Sequence, residues 1–418
     1  MSVKSPMTSN PAVEQARFCL GPALNPEVFS SIRRRMVLEY CKWDPQVGDE
    51  CVLLNRPVII SSEAWNVLAT AAERMSSEIF EAETELKRRP DLLGGLGMPA
   101  ALSRLLRSGA PNDSTSAVRT LRFDFHPTLE GWKVSEVNSD VPGGFTEASY
   151  FTAMVAEHYP STRPAGNPLR AWTTAMMPWL ADGHVAILYA PGYMEDQQIA
   201  TLLGAALRQE GYWVHFIQHP GGFSWVQNKA WIDGGRSPVP LDAIVRFYQG
   251  EWLAHMPRQT GWHNLFSKSQ TMITNPGHSV VSESKRFPLA WAQLSSTTAV
   301  LRDMFPECRE PHTVDSNEAE WVYKPAYSNT GEHIIMPALL DAPAWSKLRG
   351  SILRQRQNWV AQRRFTPLQL AADGGDVSPC IGVYTIDGKA EGAYVRLTRS
   401  AIVDYRACEA ALLVENLD

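Results

Sequence analysis

The period of the hydrophobic positions changes several times along the chain, and each change marks an element. From Ser62, SEAWNVLATAAERMSSEIFEAETELKRR sets Trp65, Leu68, Met75 and Ile79 near helical spacing. Ser61 and Ser62 supply N-cap chemistry and Pro90 follows the end, so an amphipathic packing helix is predicted. Between Gly183 and Pro220 the pattern becomes a compact apolar run, HVAILYAP, then a helical stretch, MEDQQIATLLGAALRQEGY, then a second run, WVHFIQH. That is a β-α-β unit, and DAIVRFY from Asp242 to Tyr248 adds a further strand to the same sheet. The last hundred residues read as short strands in WVYKPA, NWVAQRRF, CIGVYTIDG and EGAYVRL, expected to form an antiparallel sheet that ends in a helical stretch of Ala, Leu and Glu.

The most informative pattern is TLRFDFHPTLEGWKVSEVNSD, Thr120 to Asp140. Its first half alternates strictly, with Leu121, Phe123 and Phe125 on one face and Arg122, Asp124 and His126 on the other. Pro127 to Gly131 turn the chain, and in the returning strand Glu136 and Asn138 share a face. A hairpin centred near Glu130 sets Asp124 opposite Glu136 and Arg122 opposite Asn138, with directly opposed Cβ atoms about 4.5–5.5 Å apart. Two carboxylates that close repel unless a cation sits between them or one stays protonated. Two readings follow. Arg122 can simply neutralise the pair, or a divalent ion can bridge it. Magnesium suits carboxylate and amide oxygens and needs none of the thiolate or imidazole ligands of a zinc site.

Composition narrows the partners. The 418 residues are 44% hydrophobic and 20% charged with 14 tryptophans, enough for a substantial core in two or three lobes. A net charge of −5 offers no basic field for nucleic acid or an anionic membrane, so small molecules are the expected partners. The six cysteines, Cys19, Cys41, Cys51, Cys308, Cys380 and Cys408, are scattered without a C-x-x-C pair, which fits a reducing cytoplasm. No run of 18 apolar residues and no apolar leader occurs, so neither membrane spanning nor secretion is expected. No G-x-G-x-x-G opens the helix after His184, so no dinucleotide site is expected there.

The run R-F-D-F followed by E-V-N-S-D and T-E-A resembles the magnesium-binding hairpin of the glutathionylspermidine synthetase family, in identity and in spacing. The resemblance implies metal ligands at Asp124, Glu136 and Asn138, and a catalytic role for Arg122 in stabilising the acyl phosphate and the tetrahedral intermediate. Other landmarks keep the family's order. SESKRFPLAW resembles the segment of a nucleotide-contacting lysine, here Lys285, and YKPAYSNTGEHI resembles the phosphate loop, which implies roles for Lys324 and Gly331. WVAQRRF resembles the strand beside the adenine, implying Gln362, and GAYVRLT the strand with an arginine near the γ-phosphate, implying Arg396. VRFYQGEWL resembles a segment that holds the amine, so Glu251 is a substrate candidate, and Glu147 is a second acidic one.

The implied fold is a mixed α/β and α+β ATP-grasp fold with a Rossmann-like pre-ATP-grasp lobe. The expected divisions are a loose tail over 1–14, a helical part with the metal hairpin over 15–180, the Rossmann-like lobe over 181–265, the lid with the phosphate lysines over 266–345, and the antiparallel remainder over 346–418. Only the synthetase portion is expected, without the amidase domain of some members. The implied cofactors are ATP and Mg²⁺, and the implied activity joins a carboxylate to an amine through an acyl phosphate. Tyr327 to His333 is the expected closing loop.

Departures from the pattern matter. Ser328 and Asn329 stand where the family commonly has Gly and Arg. Val141 and Gly143 stand where glutathione-using members carry serines, which implies a carboxylate other than glutathione. A non-catalytic relative that binds nucleotide or peptide is the alternative, and a kinase would use the same metal site. A homodimer stays open.

Overall fold

The computed structural model describes residues 18–47, 50–108, 117–181, 183–314, 318–329 and 331–416, so the expected tail over 1–14 lies outside the described residues. The predicted helix forms over Ser62–Arg88, with the Ser61 side chain accepting from the Ala64 amide at 3.1 Å. Its Leu68, Ala72, Met75, Ile79, Ala82 and Leu86 are fully buried, the three-and-four spacing that one face of a helix requires. That face lies on a mixed sheet ordered Phe18–Leu20, Val58–Ile60, Cys408–Glu415, Lys389–Thr398, Ser378–Ile386, Thr120–Thr128, Gly131–Asn138. All neighbours in it are antiparallel except Val58–Ile60 with Cys408–Glu415.

The helical stretch expected at the C-terminus is instead the strand Cys408–Glu415. Ala, Leu and Glu favour helix locally, but this segment sits between two strands with Ala410 to Val414 almost wholly buried. Backbone pairing inside the sheet overrides a propensity worth tenths of a kcal/mol per residue. The expected single antiparallel sheet of the last hundred residues is also two sheets. Trp359–Arg363 pairs with Trp321–Pro325 on one side and Cys308–Arg309 on the other in a separate small sheet, where the Arg309 and Arg363 guanidiniums cover the buried Trp321 ring at 5.1 and 4.6 Å.

The β-α-β unit comprises His184–Tyr189, the helix Met194–Gln209 and Trp213–Ile217. The sheet runs Met272–Thr274, Ala243–Phe247, His184–Tyr189, Trp213–Ile217, parallel throughout. It therefore extends past residue 265, the boundary expected for this lobe, because Met272–Thr274 is its edge strand. Its apolar side shares a core with the second face of the large sheet, where Tyr384, Ile386 and Tyr394 meet Trp172, Met176, Val185 and Ile187.

One buried ion pair joins the hairpin to this lobe. Arg246, on Ala243–Phe247, donates to both oxygens of Asp140, just beyond Gly131–Asn138. The Asp140 carboxylate also accepts from the Gly250 amide at 2.8 Å and the Ser279 hydroxyl at 2.8 Å. The Asn275 side-chain amide accepts from the Thr120 N–H and donates to the Thr120 and Asp140 carbonyls. No helix among the described residues is long and apolar enough to cross a membrane.

Two stability outcomes follow. Asp140→Ala strands the buried Arg246 charge and lowers stability by about 3–5 kcal/mol in urea unfolding; a loss below 1 kcal/mol would show the pair to be dispensable. Glu83 on the long helix pairs with Arg119 at 2.6 Å. Burial by itself would raise its carboxyl, but Arg119 and Ser282 outweigh that and hold it below 4.5. A depressed carboxyl stabilises the fold above its unfolded value and loses that contribution as pH falls. Glu83→Gln therefore costs stability at pH 7 and flattens the decline below about pH 4.5, as melting temperatures across pH will read.

Candidate active site

The hairpin that carries the candidate metal ligands is not regular. Arg122 pairs with Asn138 and Phe123 with Val137, but Phe125 pairs with Val134, so Ser135 and Glu136 together oppose Asp124. This is a β-bulge with Ser135 as the added residue. The bulge frees the Ser135 carbonyl from the ladder, and it accepts from Lys324 Nζ at 3.0 Å and Gln362 Nε2 at 3.3 Å. The Ser135 hydroxyl meets His126 Nε2 at 3.0 Å. One irregularity thus ties the small sheet that carries Lys324 and Gln362 to the hairpin.

Asp124 lies at the centre of the charge. Arg122 grips it through two nitrogens at 3.0 and 3.2 Å, and Arg396 also donates to Oδ2 at 2.6 Å. Asn138 Nδ2 is 3.3 Å from the same carboxylate. Burial pushes the Asp124 carboxyl up, yet the two guanidiniums outweigh it and hold the group far below the usual carboxylate range. The same burial lowers the His126 imidazole to about 4, so it is neutral near pH 7, and lowers Lys324, helped by the Lys285 charge. Lys285 sits 3.4 Å from Glu136 and donates to the Ser328 carbonyl at 2.8 Å.

Two clefts meet here. The first, with an empty volume of about 850 Å³, is lined by Lys324, Gly331, Gln362, Glu136 and Arg396 among others. The second, about 1090 Å³, is lined by Arg122, Asn138, Glu195, Asp196 and Gln249 and again by Glu136 and Arg396. Both are of ligand size. Glu136 and Arg396 form the wall common to both, and the buried Nε of Arg396 has no hydrogen-bond partner. Lys285 lines a smaller cavity that shares Glu136, Lys324 and Gln362 with the first cleft.

Asp124, Glu136 and Asn138 present two carboxylates and an amide, hard oxygen donors of the kind Mg²⁺ takes. The donor set fits such an ion in kind, and Asp124, 1% exposed and held on both oxygens by the guanidiniums, would have to give up part of those contacts to ligate it. Among the described residues no group of three or more His, Cys, Asp or Glu side chains forms a metal site.

Two described residues of the expected closing loop have close contacts. Tyr327 donates to the Val280 carbonyl at 2.8 Å, and Gly331, at φ +73°, packs so that a Cβ would fall 2.5 Å from the Val403 carbonyl. Thr330 lies outside the described residues.

The two acidic substrate candidates do not join the cluster. Glu147 lies on Glu147–Phe151, is 4% exposed and is neutralised by Lys42 at 2.7 Å, so it lines neither cleft. Glu251 faces a separate opening beside Trp252, His255 and the loop from Pro325 to Asn329. Burial, with the Asp140 charge next, raises its carboxyl to about 8. Sequence reasoning missed Lys42, which also pairs with Asp44 at 3.0 Å and Glu409 at 2.9 Å, and missed Asp196 and Gln249. No motif marks them. Only Asp140 was within reach, inside the E-V-N-S-D run.

Among curated proteins none matches this sequence. Among solved structures, a glutathione synthetase-like effector from Globodera pallida in its apo form is similar at 13% identity, covering 95% of this chain and 99% of that one, with a TM-score of 0.65. At that identity the likeness concerns the fold alone. The profile described as glutathionylspermidine synthase preATP-grasp matches residues 44–413. With nearly its whole length matched, the chain belongs to the glutathionylspermidine synthase-like family.

Proposed function

We propose that the chain is an ATP- and magnesium-dependent ligase of ATP-grasp architecture, joining a carboxylate other than glutathione to an amine through an acyl phosphate. The observation that carries this reading is the common wall of the two clefts. A nucleotide in the first would direct its terminal phosphate toward Glu136 and Arg396, and a carboxylate in the second would meet it there. Lys324, Lys285 and Arg396 bring cationic charge to the phosphates, and Gln362 and Gly331 line the nucleotide side. Asp124, Glu136 and Asn138 would hold the magnesium. When bound, the ion neutralises charge on the transferring phosphoryl group.

Arg122 serves the second cleft. It is fixed by Asp124 and by the Gly143 carbonyl at 3.0 Å, and its guanidinium lies 6.0 Å from the Tyr394 ring centre. It keeps its charge across physiological pH, as a group that stabilises an oxyanion must. Its preorganisation by a buried carboxylate removes the cost of orienting it during reaction.

With Mg-ATP and a panel of amino acids, short peptides and amines, the native chain is expected to release ADP and inorganic phosphate together. Release of ADP without phosphate would indicate a kinase. Asp124→Ala lowers turnover at least about 100-fold, the scale of losing one preorganised electrostatic group, and Gly331→Ala raises the KM for ATP through the Val403 clash. Silence across the panel combined with no nucleotide-induced rise in melting temperature sinks the catalytic reading.

A further inference from the structure

The connection over 399–407, between the strands Lys389–Thr398 and Cys408–Glu415, borders three separate spaces. Ser400, Ala401, Ile402 and Val403 line the first cleft, and Asp404, Tyr405 and Ala407 line the second. Arg399, Ser400, Asp404 and Arg406 line a third cavity, with an empty volume of about 1060 Å³. None of the residues assigned above to nucleotide, magnesium or acyl transfer borders this cavity. It holds three guanidiniums, those of Arg56, Arg399 and Arg406, over a floor that includes Leu54, Val377 and Leu397.

Each guanidinium is oriented and still has donors to spare. Arg56 Nε donates to the Gly21 carbonyl at 2.7 Å, Arg399 Nη2 donates to the Asp373 carbonyl at 2.7 Å, and Arg406 grips the Asp404 carboxylate through Nε and Nη2. Among the described residues Arg56 Nη2, Arg399 Nε and Nη1, and Arg406 Nη1 have no hydrogen-bond partner. Gly374 and Gly375, at φ +80° and +118°, turn the chain against Arg399, leaving room for its guanidinium to pack on bare backbone. Asp404 and Asp373 are the carboxylates of the cavity, so three cations against two anions leave one positive charge over. The Asp373 carboxylate meets Arg56 Nη1 at 3.3 Å while its side chain is 99% exposed. A pair that open to water is worth about 0–1 kcal/mol and yields readily to a better acceptor. Asp373 thus occupies the place that an incoming oxyanion would take.

We propose that this cavity binds a small organic anion, a carboxylate or phosphate ester with an apolar body, as an effector that sets the position of the connection over 399–407. Planar guanidiniums match the paired oxygens of such a group, and the apolar floor takes the body. The effect on the first cleft follows from how the connection is held. Among the described residues its hydrogen bonds run no more than three positions along the chain, except that of Arg399 to Asp373. An anion drawn in by Arg399 and Arg406 therefore acts on a segment with little else to fix it. The opposite side of that segment presents the Val403 carbonyl to Gly331, so closely that a Cβ there would fall 2.5 Å away. Anion and nucleotide affinities then shift one another by the same factor. That coupling rests on the ligase reading, whereas the binding of the anion does not.

Phenyl phosphate is the probe. Titrated into the native chain in a calorimeter it is expected to bind one to one, and inorganic phosphate, which lacks the apolar body, at least tenfold more weakly. Arg399→Ala and Arg406→Ala, both at exposed positions, each weaken phenyl phosphate at least tenfold. At saturation, hydrogen exchange slows over 372–377 and 399–408 and is unchanged in Trp359–Arg363, a strand of the first cleft. No binding, binding that survives both substitutions, inorganic phosphate as tight as its phenyl ester, or protection confined to the first cleft overturns the inference. Saturating phenyl phosphate is also expected to change the Kd of Mg-ADP at least threefold in the native chain and not in Arg406→Ala; a Kd unchanged in the native chain overturns the effector role. If the native chain binds no Mg-ADP, the ligase reading fails instead, and the exchange pattern with the two substitutions still decides the cavity.

Discussion

The buried pairing of Asp140 with Arg246 fixes where everything else can stand. It joins the end of the hairpin to the central strand of the parallel sheet, with the side chains 2% and 0% exposed. A charge taken that far from water is tolerated when its counter-charge and most of its hydrogen-bond sites are supplied, and here Gly250, Ser279 and the Tyr248 carbonyl supply them, leaving Arg246 Nε without a partner. The partners come from three separate stretches of chain. The pair therefore acts as a geometric lock: the hairpin cannot shift against the lobe without leaving a buried ion uncompensated.

From that lock the hairpin projects its polar face into the space between the clefts. The bulge at Ser135 sets Glu136 on the common wall and offers a carbonyl to Lys324 and Gln362, so the small sheet is registered against the hairpin by hydrogen bonds rather than by apolar packing alone. Asp124 plays the corresponding part for the arginines. One carboxylate holds two guanidiniums that would otherwise repel each other, at positions where both border the second cleft and Arg396 borders the first as well. The arrangement concentrates cationic charge without an external counter-ion and leaves Arg396 Nε unsatisfied.

The second cleft has the opposite character. Lys42 binds Asp44, Glu147 and Glu409 at once, and its three partners exceed its charge. Burial raises Glu409 to about 8, although Lys42 pulls it down. With Glu195 and Asp196 the wall is rich in carboxylates whose charge is weakly compensated, while Arg122 and Arg396 occupy the side toward the hairpin. Acidic and basic groups lining one cavity sort ligand groups by charge.

The alternation from Leu121 to His126, the period of the Ser62–Arg88 helix and the β-α-β pattern after His184 were readable because each depends on neighbours in sequence. Side-chain direction along a strand or helix is set by backbone geometry, so apolar spacing announces the buried face without knowledge of what covers it. The opposition of Asp124 to Glu136 was likewise local, since a short turn fixes which residues can face each other. The rest needed the folded chain. Cys408–Glu415 has helical composition and becomes a strand only because two others flank it. Met272–Thr274 joins a sheet whose first strand begins almost ninety residues earlier, and Glu147 loses its apparent role to Lys42, over a hundred positions away. Asp196 and Gln249 look like ordinary surface residues in one dimension, yet both are buried with a side-chain oxygen that lacks a hydrogen-bond partner. Burial and the want of a partner are properties of three-dimensional neighbourhoods, and no spacing along the chain encodes them.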